Sequence, residues 1–103
     1  MLDGVDPEDE MEQLDAWEEY LDENLEFPFE AEVSLWEKRG PLQDGDLLKV
    51  KDISGVDDMY GIIVEVRLGR KRFDIPLCEL KVTDHRSANY QMVRDYGAWF
   101  ANR

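Results

Sequence analysis

Carboxylate side chains are concentrated in and beside one predicted β-hairpin, and carboxylates are the groups that bind hard cations. Asp57 and Asp58 are adjacent in the predicted loop Ser54–Met59, and Asp52 precedes it. No Lys or Arg lies between Asp52 and Gly61. Calcium takes about six to eight oxygens from carboxylates, carbonyls and water, and a loop that contains glycine supplies both kinds of protein ligand. The pattern predicts a calcium site at this end of the hairpin, with Asp57 and Asp58 as primary ligands.

Other carboxylates are candidates for the same site because of the predicted path of the chain. In a small barrel with short turns, the first strand starts at the end where this loop lies, and the fourth strand ends near it. We therefore expect further ligands to approach Asp57 and Asp58, first Glu32 and Asp52, then Glu30 and Glu79.

The spacing of these acids alone leaves other interpretations open. Asp57 and Asp58 also suit a solvated turn, because Asp side chains bond readily to the neighbouring backbone. An EF-hand is not predicted, since the run from Asp44 lacks the later Asp/Asn-Gly step and the Glu at the twelfth position. His85 and Cys78 are solitary and far apart in sequence, so a transition-metal site is not expected.

The chain offers little for catalysis. Asp84, His85 and Ser87 lie within four residues, and the residue types alone would suit nucleophilic chemistry. Their place just before a predicted helix makes capping of that helix the expected role. Cys78 has no activating base nearby in sequence and is interpreted as a small core or boundary residue. We expect a protein that is not an enzyme.

Apolar periodicity predicts the elements that must position the acids. Spacings of three and four residues predict an amphipathic helix that ends before Pro28, with the stripe Met11, Leu14, Trp17, Leu21 and Leu25. Alternation predicts a first strand over 27–35, a hairpin over 45–66 and a fourth strand over 73–77. Pro76 interrupts the fourth strand and favours a short helical turn before extended chain resumes at Leu80.

These elements predict an α+β fold that is mostly β. The expected architecture is a small SH3-like barrel with an N-terminal amphipathic helix and a short C-terminal helix. The last helix should start at about Asp95 and pack Tyr96, Trp99 and Phe100 onto the barrel, although Gly97 weakens its propensity. The alternative is a split α+β domain made of a helix and a meander.

Charge is distributed very unevenly along the 103 residues. Net charge is −13, yet residues 1–32 hold 14 acids and no base, which leaves the rest near neutral. We predict an acidic mobile tail over 1–10 and a single SH3-like calcium-binding domain over 11–103. The charge argues against nucleic-acid binding and favours cations. One cysteine, no long apolar run and no basic, apolar leader predict a cytoplasmic protein without membrane contact.

Several short motifs, in order, resemble one known family over about residues 14–103. They are Trp17–Leu21, Phe27–Ala31, Gly45-Asp46, Ser54–Gly61, Phe73–Cys78, Asn89–Gln91 and Trp99–Arg103. The chain resembles the small CcbP-type calcium-binding proteins of cyanobacteria. That resemblance implies an acidic, cytoplasmic, non-EF-hand calcium binder with an SH3-like β core.

Two functional hypotheses follow from the sequence. The first is a calcium-ion buffer or sensor that uses clustered carboxylates, with calcium as its ligand and no identified protein partner. The second is an SH3-like protein-interaction or RNA-associated adaptor with an acidic arm. In the second hypothesis the basic residues that would touch RNA are Arg67, Arg70, Lys71 and Arg72. They lack interleaved aromatic residues, which makes them a weak nucleic-acid patch.

Overall fold

A computed structural model describes residues 10–34 and 42–102. Within these residues the chain forms two α-helices, five strands and one 3₁₀ turn. In chain order they are α1 (Glu10–Asn24), β1 (Phe29–Val33), β2 (Leu47–Asp57), β3 (Gly61–Leu68), β4 (Lys71–Pro76), the 3₁₀ turn (Leu77–Glu79), β5 (Leu80–Val82) and α2 (Ala88–Asn102). The tail predicted over 1–10 lies outside the described residues except for Glu10, as does the predicted end of the first strand at Leu35.

The strands of the described residues form one antiparallel sheet in the order β4-β3-β2-β1-β5. This confirms the α+β class with a predominant sheet. β4 and β5 are the two edges, and within 10–34 and 42–102 they do not pair with each other, so the sheet is open. Closure into an SH3-like barrel is not confirmed. The consecutive strands β2, β3 and β4 form a meander, a feature of the alternative fold.

One face of the sheet is covered by the two helices and forms the core. Leu14, Trp17 and Leu21 of α1 are buried, as the predicted stripe requires, whereas Met11 is 44% exposed. The sheet contributes the alternating inward residues of β2 and β3, among them Val50 and Val64. In the described part of the chain, no helix has the length and apolar character needed to cross a membrane.

The C-terminal helix is longer than the sequence predicts, because it begins at Ala88 rather than near Asp95. Ser87 Oγ accepts the Asn89 N–H at 3.1 Å, which is the capping role expected for this residue. The Asn89 side chain then accepts from the Glu26 N–H and donates to the Glu26 carbonyl, both at 2.9 Å. These contacts fix the start of α2 against the connection between α1 and β1.

The central hairpin has a shorter loop than predicted. β2 continues to Asp57, so the connection to β3 is the three-residue turn Asp58–Tyr60 and not a six-residue loop. Register shifts between Val50 and Asp52 and between Ile53 and Gly55 mark irregularities of the bulge type in β2. Bulges bend and twist a strand locally, which redirects the outward side chains of this segment.

Candidate calcium site

The turn between β2 and β3 is organised by the carboxylate of Asp57. Its Oδ1 accepts the backbone N–H groups of Met59 at 2.8 Å and Tyr60 at 3.0 Å. This is the local backbone bonding that favours Asp in turns. Asp58 follows directly and is exposed. The arrangement places two adjacent carboxylates at the tip of the hairpin.

Hydrogen bonding to the ionised form sets the protonation state of Asp57. The N–H of Tyr60, and then that of Met59, hold the pKa of the Asp57 carboxyl below its ordinary value, against a small opposing effect of burial. A lowered pKa in the folded state means that Asp57 contributes stability above its unfolded pKa, and that this contribution is lost as pH falls through the folded value. The carboxylate is therefore charged at neutral pH, as a calcium ligand must be.

The far side of this turn is anchored to α2. The N–H of Ile62 donates to Tyr96 Oη at 2.9 Å in the buried core. Gly61, which joins the turn to β3, has φ +74°, and a Cβ at this position would overlap Tyr96 Oη and the ring of Phe100. Glycine is therefore required here both for the backbone conformation and for the close approach of the helix. The position of the hairpin tip depends on α2.

Tyr96→Phe should destabilise the protein by about 1–3 kcal/mol, because it leaves the buried N–H of Ile62 without its acceptor. Urea unfolding followed by circular dichroism measures the change. Tyr90→Phe is a matched control on the same helix, since Tyr90 is only half-buried and stacks on His85 through its ring. The control should change stability by less than about 0.5 kcal/mol. Equal losses of stability in the two variants would show that the hydrogen bond from the Ile62 N–H to Tyr96 Oη contributes nothing to stability.

Asp52 lies on the same strand as Asp57, in the middle of β2, and begins a separate row of acids that crosses the sheet. It is exposed, and its Oδ1 accepts the Ile53 N–H at 2.8 Å. Across the sheet Asp52 pairs with Glu65, and Glu65 pairs with Asp74. The sequence interpretation missed Glu65 and Asp74, and the register of β2, β3 and β4 is the information that would have found them. Arg72 neutralises part of this row through Glu65 at 3.0 Å and Asp74 at 3.7 Å.

The expected approach of Glu30 and Glu32 to the hairpin tip is wrong. β1 pairs antiparallel with the start of β2, so Glu30 lies opposite Lys49 and Glu32 opposite Leu47. Asp57 is eight residues beyond Lys49, which is roughly 25 Å along an extended strand. Glu30 Oε1 accepts the hydroxyl of Thr83 at 2.8 Å.

β4 ends beside the hairpin tip, as predicted, because its last residue Pro76 pairs with Ile63. Glu79 lies three residues further along the chain, at the end of the 3₁₀ turn. It is buried, and its carbonyl accepts the N–H of Ser34 at 2.8 Å, just beyond the end of β1. Val33 in turn donates to the carbonyl of Asp46 at 2.9 Å, next to the start of β2. Among the six predicted ligands, Asp52 and Asp57 lie on β2 and Asp58 lies in the turn that follows it, whereas Glu30 and Glu32 lie beside the beginning of β2. Glu79 lies between the end of β4 and the end of β1.

The donor chemistry of the hairpin tip fits a hard cation. Asp57 and Asp58 offer charged oxygens, and the turn adds backbone carbonyls. Across 10–34 and 42–102, no three His, Cys, Asp or Glu side chains are grouped so that they could hold a metal ion together. A calcium ion at the tip would therefore take much of its coordination from carbonyls and water. The ligand set remains a prediction.

The acidic residues 1–32 and the carboxylate turn of this α+β protein have the charge and the donor oxygens that suit a hard cation. The family comparison identifies the class: the chain belongs to the CcbP family, whose description is calcium binding and whose model matches residues 4–100. Calcium is thus the ligand of the class to which this chain belongs.

Solved structures agree with this membership. The crystal structure of Anabaena CcbP is 25% identical, with a TM-score of 0.73 over 94% of this chain and 80% of that one. A calcium-binding protein in the calcium-binding form is also 25% identical, with a TM-score of 0.74 over 95% of this chain and 82% of that one. No curated protein sequence matches the chain at a significant level.

Proposed function

We propose that the protein is a cytoplasmic calcium buffer or sensor of a non-EF-hand type, without a catalytic role. The observation that carries the proposal is the match to a calcium-binding family over residues 4–100. A neighbour of the same fold, known in a calcium-binding form, supports it. The candidate site lies at the tip of a hairpin, which connects two strands. An EF-hand loop connects two helices, so the proposed site differs from an EF-hand. The lone thiol of Cys78 suits a reducing compartment.

The proposed primary contacts are Asp57 and Asp58. The lowered pKa of Asp57 supports this choice, because the carboxylate is already ionised and fixed in direction by two N–H groups. Asp52 is the next candidate because it lies on the same strand, β2, five residues before Asp57. Glu32 and Glu30 remain candidates only for a separate contact at the other end of the strand, and Glu79 is a candidate between the end of β4 and the end of β1.

The acidic N-terminal segment, residues 1–32, supports calcium binding through its electrostatic field. α1 carries seven acids and no base over Glu10–Asn24, within the 14 acids of residues 1–32. Such a concentration of one sign raises the local concentration of cations. The effect of exposed charges extends about 8 Å at physiological ionic strength, so it assists capture of an ion without replacing its ligands.

Calcium titration by calorimetry in physiological salt tests the proposal, and a saturable heat with a defined stoichiometry is expected. Binding to the folded state should also stabilise it by about 2.7 kcal/mol at a hundredfold excess of ion over the dissociation constant. Calcium should raise Tm more than magnesium, because magnesium dehydrates reluctantly and requires strict octahedral geometry. Equal shifts with the two ions would indicate charge screening and would contradict a calcium site.

A further inference from the structure

The solvent-facing side of the sheet carries a basic groove, defined here by Lys49, Lys51 and Arg67. These side chains line an open depression of about 650 Å³ where β1, β2 and β3 run side by side, together with Leu47, Leu48, Gly69 and one acid, Glu30. Lys49 and Lys51 are exposed and alternate with buried Val50, which points into the core. The groove is therefore on the face of the sheet opposite α1, so the chain's own acidic helix does not occupy it.

The three cations of the basic groove outnumber the one acid that lines it, Glu30, which lies opposite Lys49. Lys49 lies directly opposite Arg67 on the neighbouring strand, and like charges in that position destabilise a sheet. Among the described residues, neither of them nor Lys51 forms an ion pair, whereas neighbouring Arg72 is paired with Glu65 at 3.0 Å. In a protein of net charge −13, an unpaired group of cations at this position favours an anionic ligand.

We propose that the basic groove binds an acidic polypeptide segment of a partner protein. Carboxylates of the partner would pair with Lys49 and Arg67, and an apolar side chain would cover Leu47, which is 53% exposed at the edge of the groove. Complementary charge gives such a contact its specificity and association rate. This surface is separate from the hairpin tip proposed for calcium.

The surroundings of the groove favour a peptide over a nucleic acid. Directly beyond Lys51 lies the acidic row of Asp52, Glu65 and Asp74, and on the β1 side lies Glu30. A continuous phosphate backbone would be repelled on both sides, while a peptide can confine its acids to the centre. The lining residues also include no aromatic ring on which a base could stack.

Fluorescence anisotropy with a labelled peptide, Glu-Glu-Leu-Glu-Glu-Leu, tests the proposal at physiological salt. Saturable binding to the full chain is expected. Lys49→Gln with Arg67→Gln should weaken it about tenfold or more, since two paired charges are lost. The matched control is Arg86→Gln with Arg94→Gln, which removes two exposed positive charges outside the groove and should weaken binding less than twofold.

Thermal melts separate binding from folding. The groove variant removes a like-charge pair, so its Tm should equal or exceed that of the parent. Three results would overturn the proposal: no saturable binding of the peptide by the parent, equal weakening in both double variants, or tighter binding of inorganic phosphate or a single-stranded oligonucleotide than of the peptide.

Discussion

Gly61→Ala is expected to destabilise the protein by about 3 kcal/mol and to lower Tm by roughly 10–20 °C. Two costs combine at this residue. Its φ of +74° is a conformation that costs an L-residue about 1–2 kcal/mol. The added Cβ would also overlap Tyr96 Oη and the Phe100 ring, and overpacking a close-packed core costs about 1–3 kcal/mol. Thermal unfolding monitored by circular dichroism measures the loss.

Two other glycines separate these costs. Gly69 has φ +62° but open space around its Cβ position, so Gly69→Ala should show only the conformational cost of about 1 kcal/mol. Gly97 lies within α2 and is also open, so Gly97→Ala should stabilise the protein by about 0.5–1 kcal/mol. If Gly61→Ala proved no more harmful than Gly69→Ala, the close contact of the turn with α2 would be disproved.

Local periodicity was sufficient to predict most elements, because it depends only on neighbouring residues. The buried stripe of α1, the inward Val50 and Val64 of the hairpin, and the 3₁₀ turn after Pro76 all follow from spacing within a few positions. Their identification required no knowledge of the rest of the chain.

Features set by distant contacts were predicted less well. The start of α2 depends on the Asn89 side chain bonding to Glu26, 63 positions earlier, and nothing in the local pattern around Asn89 shows this partner. The hairpin loop is shorter than expected for a local reason, since the Asp57 carboxylate closes a tight turn with the N–H groups of Met59 and Tyr60. Side-chain bonds of this kind override the boundaries that Gly and Ser suggest.

The candidate site shows the same division between local and distant information. Adjacent Asp57 and Asp58 could be identified from sequence because their proximity is covalent. The predicted approach of Glu30 failed because it depended on strand register, which places that residue opposite Lys49. In a sheet, a difference of eight positions along one strand separates two acids by roughly 25 Å, so register decides which carboxylates meet.

Asp57→Asn with Asp58→Asn should lower calcium affinity about a hundredfold while leaving the fold intact. Asn retains the oxygen that accepts the N–H groups of Met59 and Tyr60, so the turn should persist. The two negative charges that a hard cation requires are removed. Calorimetric titration in physiological salt measures the affinity, and a thermal melt without calcium checks the fold.

The matched control for this variant is Asp15→Asn with Asp22→Asn on the exposed face of α1. It also removes two negative charges, so any loss of calcium affinity that it shares with the turn variant reflects the electrostatic field of the whole protein. That loss should be under threefold, because exposed charges are screened beyond about 8 Å. If the turn variant bound calcium as tightly as the parent, Asp57 and Asp58 would not be ligands. The calcium contact would then be sought at Glu30 and Glu32, beside the beginning of β2, where Glu32→Gln should produce the loss of calcium affinity that the turn variant failed to show.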